Sequence, residues 1–391
     1  MISVTEALDL IKRETTALPK TSIPLEESNG YYLAEPIIAP MSLPPFRQSA
    51  MDGYAFRHGD VTELEVIGEC KAGDAHEFEL QANQAVRIFT GARVPDQADT
   101  VIIQEHVEVK GKMISIQKLP AKSANVRKIG EQVPAGEQVL AEGLKITESI
   151  IGFLAGFGIT EVLVFNKPKI TLIVTGNELQ EPGRPLNPGA IYESNAIMLK
   201  SALISRGFDS VRILKVQDDL ESTKRVISLG LESDVLLISG GISVGDYDFV
   251  NEALKANGAK EIFYKVNQKP GKPIWFGKKG ETLIFALPGN PASSLTCFLI
   301  YALSALQIMS GNVNYDLDFS TGVLRHSTTN KFGKTLFILG TEQDGQLDIY
   351  PKQASSMLIS YALGNALILI PEEKEVLEAG ERLSYLPINR N

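Results

Sequence analysis

Hydrophobic and polar positions recur at different spacings along this chain, and each spacing predicts a different kind of element. Residues 3–16 place Val4, Ala7, Leu8 and Ile11 at helical intervals, which predicts an amphipathic helix. Residues 21–45 are proline-rich, end in Leu43-Pro44-Pro45, and read as extended chain. From 46 to 136, short apolar alternations (LEVIGE, AVRIFTG, TVIIQEHVEV, MISIQ) are broken by Gly, Asp and Asn, the pattern of an all-β module. Residues 137–167 add VLAEGLKI, an uncharged helix-like run, and EVLVF.

After Lys167-Pro168 the pattern changes. KITLIVTG, VRILKV and DVLLISG read as buried strands, with helices near 194–206, 219–230 and 247–257. EIFYKV, PIWFG and TLIFAL follow, then an apolar helix from about Ala292 to Met309. Strands alternating with helices predict a parallel α/β sheet. The tail returns to short strands with glycine turns, which suggests a small β-barrel. The fold class is therefore multidomain α/β plus all-β. The boundaries read as a linker-like β domain (21–45 and 137–167), a β-rich domain (46–136), an α/β domain (1–20 and 168–312) and a C-terminal barrel (313–391).

Composition narrows the function classes. The chain has 391 residues, 44% hydrophobic and 22% charged, ordinary for a soluble globular protein and long enough to bury a sizeable core. A formal net charge of −9 argues against general binding to nucleic acid or anionic membranes. An anionic ligand would need a local basic cluster. Cys70 and Cys297 are too few for a disulfide framework or a four-ligand zinc site, and a reducing, cytoplasmic compartment fits them. His58, His76, His106 and His326 show no metal-ligand spacing. The N-terminus carries charges at helical intervals and no signal-peptide core. The 292–309 helix, which carries Ser293, Ser294, Thr296 and Ser304, reads as a core helix rather than a membrane span.

Several glycine- and proline-punctuated loops carry candidate chemistry. SGGISVGDYD (239–248) follows a strand and opens a helix; Gly240, Gly241 and Ser243 could admit a phosphate, and Asp246 and Asp248 could hold a hard cation or complement the helix dipole. Asp218 and Asp219 follow another strand, one suited to cap the next helix and the other open to ligation. KPGKP (269–273), with Lys265 upstream, supplies Lys265, Lys269 and Lys272 to a stiffened loop suited to oxyanions. LPGNPASS (287–294) gives Pro288, Gly289, Asn290 and Pro291 at the start of the apolar helix, a third candidate anion cradle on the same sheet edge. SAMDGYAF, FTGARVP and NVRKIGE add Asp52, Thr90 and Arg127 in the β-rich half. No Ser-His-Asp set, GxxxxGK loop or GxGxxG loop is present.

Together with YESN (192–195), these motifs stand in the order of the MoeA family, which includes the E domain of gephyrin, and the chain resembles that family over essentially its whole length. The resemblance implies an elongated four-domain subunit, a MogA-like α/β domain and a homodimer. It implies a molybdopterin molybdenumtransferase that inserts molybdenum from molybdate into adenylylated molybdopterin, with release of AMP and Mg²⁺ as the cofactor. By motif match, Asp52, Thr90, Arg127 and Glu193 line the cleft opposite the α/β domain, with Asp52 and Glu193 reaching in from a partner subunit. Asp218 and Asp248 handle metal and adenylate; Lys265, Lys269, Pro288 and Pro291 take pterin phosphate and oxyanion; Ser355 is a polar position of the C-terminal domain. Gln132 stands where many members carry an acid, and Leu339 where many carry an arginine. Two other functions share the α/β fold: a molybdopterin adenylyltransferase, which is also a partner class the resemblance raises, and a non-catalytic scaffold.

Overall fold

The computed structural model describes residues 1–242, 249–313, 315–351 and 353–388. The chain divides into two compact units: Met1–Ile23, Ser28–Ala34 and Leu163–Asn391 in one, Pro24–Glu27 and Glu35–Val162 in the other.

The chain opens with helix α1 (Val4–Glu14). The Ser3 hydroxyl accepts from the Glu6 N–H at 3.1 Å and so satisfies one of the free donors at its start. Its buried face, Val4, Ala7 and Ile11, is the stripe the sequence pattern marks, and it packs against the long helix described below.

The smaller unit is built on six strands: β1 (Gly53–Phe56), β2 (Glu63–Cys70), β3 (Gln84–Ile88), β4 (Thr100–Ile103), β5 (Val107–Lys110) and β6 (Met113–Ile116), in the order β4-β1-β3-β2-β6-β5. All neighbours are antiparallel except β2 and β3. Gly53 is required where β1 crosses β4, since a side chain there would put its Cβ 1.9 Å from the Ile102 carbonyl oxygen. The helix-like run becomes α2 (Glu148–Ala155), capped by Thr147.

The larger unit carries the alternating strands and helices: β7 (Ile170–Thr175), α3 (Asn195–Ile204), β8 (Val211–Val216), α4 (Leu220–Gly230), β9 (Val235–Ser239), α5 (Val250–Ala256), β10 (Lys260–Tyr264), β11 (Trp275–Lys279), β12 (Thr282–Leu287) and α6 (Pro291–Met309). The sheet order is β8-β7-β9-β12-β11-β10. The first four strands are parallel, as the alternation predicts. The last two are not: β12 turns back directly onto β11, and β10 pairs antiparallel with β11. The expected parallel α/β sheet is present in β8, β7, β9 and β12, and the β11–β10 edge makes the whole sheet mixed. A two-residue turn separates β11 from β12, too short for the crossover that a parallel pair needs.

Side chains alternate across this sheet. Leu172, Val174, Leu237 and Phe285 join the core beneath α1, α3 and α6, while Ile173, Leu236, Ile238 and Ile284 join the core beneath α4 and α5. Helix α6, with Pro291 in its first turn and a wider π turn at Phe298–Ala302, is buried along most of its length, so its apolar character serves the core.

The C-terminal strands β13 (Ser320–Leu324), β14 (Thr335–Gln343), β15 (Gln346–Ile349), β16 (Ala366–Ile370) and β17 (Arg382–Pro387) run β14-β15-β13-β17-β16 and return to β14, closing a five-stranded barrel. Gln268 and Lys269 pair in parallel with Thr335 and Leu336 of β14, which ties the KPGKP loop to the barrel.

Candidate functional site

The C-terminal ends of the four parallel strands open on a pocket of about 580 Å³. Open α/β sheets bind ligands at this edge. The turn after β9 lets the backbone come close. Gly240 and Gly241 have φ of +101° and +61°, and an added Cβ would fall 2.9 Å and 3.0 Å from the Thr175 hydroxyl. Gly289, at the end of β12, lies against the Cα of Gly240.

Three acids among the described residues line this pocket, Glu178, Glu193 and Asp218. Asp218 Oδ2 accepts from the Asn177 N–H at 3.2 Å, while the Asn177 side chain accepts from the Asp218 N–H at 3.1 Å. Its neighbour Asp219 is the cap, accepting from the Ser222 N–H at 2.9 Å; those N–H groups at the helix start hold its carboxyl below the usual range. Glu193 is 5% exposed and accepts from the Ala196 N–H at 2.8 Å at the start of α3. The family resemblance pairs Glu193 with Asp52 as residues reaching in from a partner subunit. The structure corrects this: Glu193 shares the pocket of its own chain's Asp218, because the YESN segment leads directly into α3 beside β7.

Among the described residues, two oxygens in the pocket lining have no hydrogen-bond partner: Thr175 Oγ1 at the end of β7 and Asn195 Oδ1 at the start of α3. The Asn195 amide nitrogen is held by Ser239 Oγ at 2.9 Å and the Gly289 carbonyl at 2.7 Å, so the orientation of its free oxygen is fixed. Buried polar atoms without protein partners are rare, and a water, an ion or a ligand completes their bonding.

A second pocket of about 660 Å³ shares Pro273, Pro288 and Asn290 with the first. Lys269, Lys272 and Lys334 line it, and among the described residues no Asp or Glu does. The Lys269 ammonium sits 3.4 Å from the centre of the Phe332 ring. Ser355 joins this wall through its hydroxyl, which accepts from Asn290 Nδ2 at 2.9 Å. Its carbonyl accepts from the N–H groups of Ala292 and Ser293 at 3.1 and 3.2 Å. The start of α6 is thus closed by the chain itself, which corrects the reading of LPGNPASS as an open anion cradle; Pro288, Gly289, Asn290 and Pro291 shape the pocket wall instead. Lys265 lines neither pocket; its ammonium lies over the Tyr264 ring, 4.5 Å from the centre. Ser243, Asp246 and Asp248 lie outside the described residues.

In the smaller unit three motifs meet. The Thr90 N–H and hydroxyl both donate to Asp52 Oδ1 at 2.8 Å, and these bonds, with the charge of Arg87, keep the Asp52 carboxyl below its usual range. Ser49 bonds through its backbone to Gly91 and Ala92, and Arg127 pairs with Gln48 on a short ribbon. Arg87, which the motif reading missed, donates to the Gly53 carbonyl and to Gln104 Oε1 and packs on Tyr54 and Phe89. Lys334 was missed as well. The sequence signal for both was weak: one is a lone arginine in an alternating strand, the other a lysine beside a glycine turn.

Among the described residues, no group of three His, Cys, Asp or Glu could hold a metal ion.

Family profiles described as MoeA N-terminal region (domain I and II), probable molybdopterin binding domain, and MoeA C-terminal region (domain IV) match residues 2–158, 171–307 and 321–388. A Haemophilus influenzae protein named molybdopterin molybdenumtransferase is 33% identical over 376 residues, covering 93% of each chain. This chain belongs to the MoeA family. Molybdopterin molybdenumtransferase 2 of Mycobacterium tuberculosis is also 33% identical, over 98% of both chains. The crystal structure of the MoeA protein from Pyrococcus horikoshii OT3 aligns over 99% of this chain and 100% of its own, with 30% identity and a TM-score of 0.85. MoeA membership accounts for the pairing of an α/β unit with β-rich units, the fold class expected from the sequence.

Proposed function

We propose that this transferase of molybdenum cofactor biosynthesis inserts molybdenum from molybdate into adenylylated molybdopterin and releases AMP and the finished cofactor. The observation that carries the reading is the pair of adjoining pockets in one unit. Among the described residues, one presents carboxylates and unpaired fixed oxygens beside two glycines, and the other presents three lysines with no acid in its lining, in a chain of net charge −9.

The chemistry follows from charge. Molybdate and the adenylate are both anions, and their approach is opposed by Coulomb repulsion. Lys269, Lys272 and Lys334 offset that repulsion on the oxyanion side. The glycine turn after β9 lets the phosphoanhydride lie close to the backbone, and Asn195, held at its nitrogen, fixes the ligand's orientation. Asp218 orients the phosphate or the attacking water. Hydrolysis of the anhydride then drives metal insertion.

The donor set suits a hard cation such as Mg²⁺: the Asp218 carboxylate and the orphaned amide oxygen of Asn195 are both hard oxygens. Asp218, with Asp248 as the second proposed ligand, would hold it. When bound, the cation would neutralise charge on the phosphates, which is how Mg²⁺ works with few protein ligands.

A homodimer belongs to the same proposal. Ile197 and Ile204 on α3 are 58% and 46% exposed, an apolar face that a second copy would cover. Two free, buried cysteines support a reducing, cytoplasmic setting, and an adenylyltransferase is the proposed source of the substrate. The proposal is tested by offering the protein molybdopterin with ATP and, separately, adenylylated molybdopterin. Binding and turnover of the adenylate alone are expected. Formation of adenylate from ATP would replace the proposal with the adenylyltransferase reading.

A further inference from the structure

The KPGKP loop carries its lysines on the surface, yet the residue just before it, Gln268, has a side chain that is fully buried. That side chain points inward and makes bonds in two directions. Its Nε2 donates to the carbonyls of Pro270 at 2.9 Å and Gly271 at 3.3 Å, inside the lysine loop, and approaches Cys297 Sγ at 3.6 Å. Its Oε1 accepts from the hydroxyl of Tyr301, itself fully buried in α6. Cys297, one turn earlier on α6, donates its thiol to the same Gly271 carbonyl at 3.5 Å.

The fit around this contact leaves no slack. Gly271 has φ of +81°, and a Cβ there would lie 2.4 Å from Cys297 Sγ and 3.0 Å from Gln268 Nε2. Tyr301 lies within the π turn of α6, the one segment where that helix departs from regular winding. Such turns cluster at functional sites. A buried glutamine needs all its hydrogen-bonding capacity met, and here the partners are the loop's own carbonyls and the most buried helix of the unit. The loop that presents Lys269 and Lys272 is therefore fastened from below to a rigid core element.

We infer that Gln268, locked by Tyr301 and Cys297 of α6, is a positioning residue that holds the lysines of the KPGKP loop in place for the oxyanion. It contacts no ligand and acts through the loop. The inference rests on the reading of that loop as the oxyanion site. Its expected signature is a loss of affinity for the oxyanion with little effect on the remaining steps, since a rigid, correctly placed charge loses less freedom on binding than a wandering one.

The test uses inorganic molybdate as the probe, titrated against the full chain by calorimetry, with the melting temperature recorded for each variant. Gln268→Met keeps length and apolar volume but removes every side-chain hydrogen bond. Tyr301→Phe keeps the ring and removes only the lock on Oε1, and decides the matter if the first variant does not fold. The inference predicts that molybdate binding weakens about tenfold in either, the scale of one lost charge-assisted contact. It also predicts that turnover recovers at saturating molybdate. In a Lys269→Ala/Lys272→Ala background the same substitutions should weaken binding no further, because their effect passes through those lysines. Folded single variants with unchanged molybdate affinity, or losses that add to the lysine losses, overturn the inference. If instead the double lysine variant itself binds molybdate normally, the oxyanion reading of the loop is wrong, and the positioning role falls with it.

Discussion

Replacing Thr175 with valine separates what the pocket needs from what the fold needs. Thr175 ends strand β7, is 8% exposed, and its Oγ1 is shut off from solvent without a hydrogen-bond partner among the described residues. An uncompensated buried hydroxyl costs about 1–3 kcal/mol on mutational scales. Valine keeps the β-branched shape that suits a strand, and the residues facing it, Gly240 and Gly241, carry no side chain to collide with. Ligand-free Thr175→Val protein should therefore be more stable by about 1 kcal/mol, a rise in melting temperature of about 2–4 °C for a domain of this size. In the complex the hydroxyl meets a charged ligand, a bond worth about 1.5–3 kcal/mol. Adenylate binding should weaken by about 10- to 100-fold. Differential scanning calorimetry of the free protein and isothermal titration with AMP or the adenylated pterin measure the two halves. A valine variant that melts lower than the parent and binds as well as it does would refute the argument, because the hydroxyl would then be serving the fold and not the ligand.

Other outcomes follow from the same geometry. Lys269→Ala and Lys334→Ala should each reduce molybdate affinity while leaving the melting temperature nearly unchanged, since both are cations of a pocket whose described lining contains no acid; equal affinity in calorimetry would remove either from the site. Asp248→Asn should retain adenylate binding but lose metal-dependent AMP release by about 10²-fold, the scale of one fixed transition-state contact, read in a quenched-flow assay across Mg²⁺ concentrations. Thr90→Ala should raise the titration midpoint of Asp52 toward the ordinary carboxylate value, seen by carboxyl-resonance NMR. The Asp52 carboxyl is depressed in the folded state, so its contribution to stability is complete above the unfolded-state value and is lost as pH falls through the folded one. The alanine variant should flatten that acid limb.

Much of this was legible in the sequence because it depends on local spacing. The buried stripe of α1, the strand–helix alternation from Ile170 onward, the capping acid beside Asp218 and the core role of the 291–309 helix all follow from residues near one another in the chain. What could not be read depends on distant partners. The antiparallel edge of the α/β sheet was hidden because short apolar runs such as EIFYKV and PIWFG reveal burial but not direction. The start of α6 looked open to an anion until the Ser355 carbonyl, from a segment more than sixty residues later, proved to occupy its N–H groups. Thr175 and Asn195 are unremarkable letters in KITLIVTG and YESN, and their unpaired oxygens exist only once four strand ends converge. Glu193 was assigned to the wrong wall because its motif says that it is functional but not which neighbour it faces.

The central claim is that this chain couples adenylate hydrolysis to molybdenum insertion. The most direct measurement is AMP release from adenylylated molybdopterin, followed by chromatography, with and without molybdate. The account predicts AMP release that depends on molybdate and matches, mole for mole, the molybdenum recovered on the pterin. AMP release at the same rate without molybdate, or no release with it, would contradict the account.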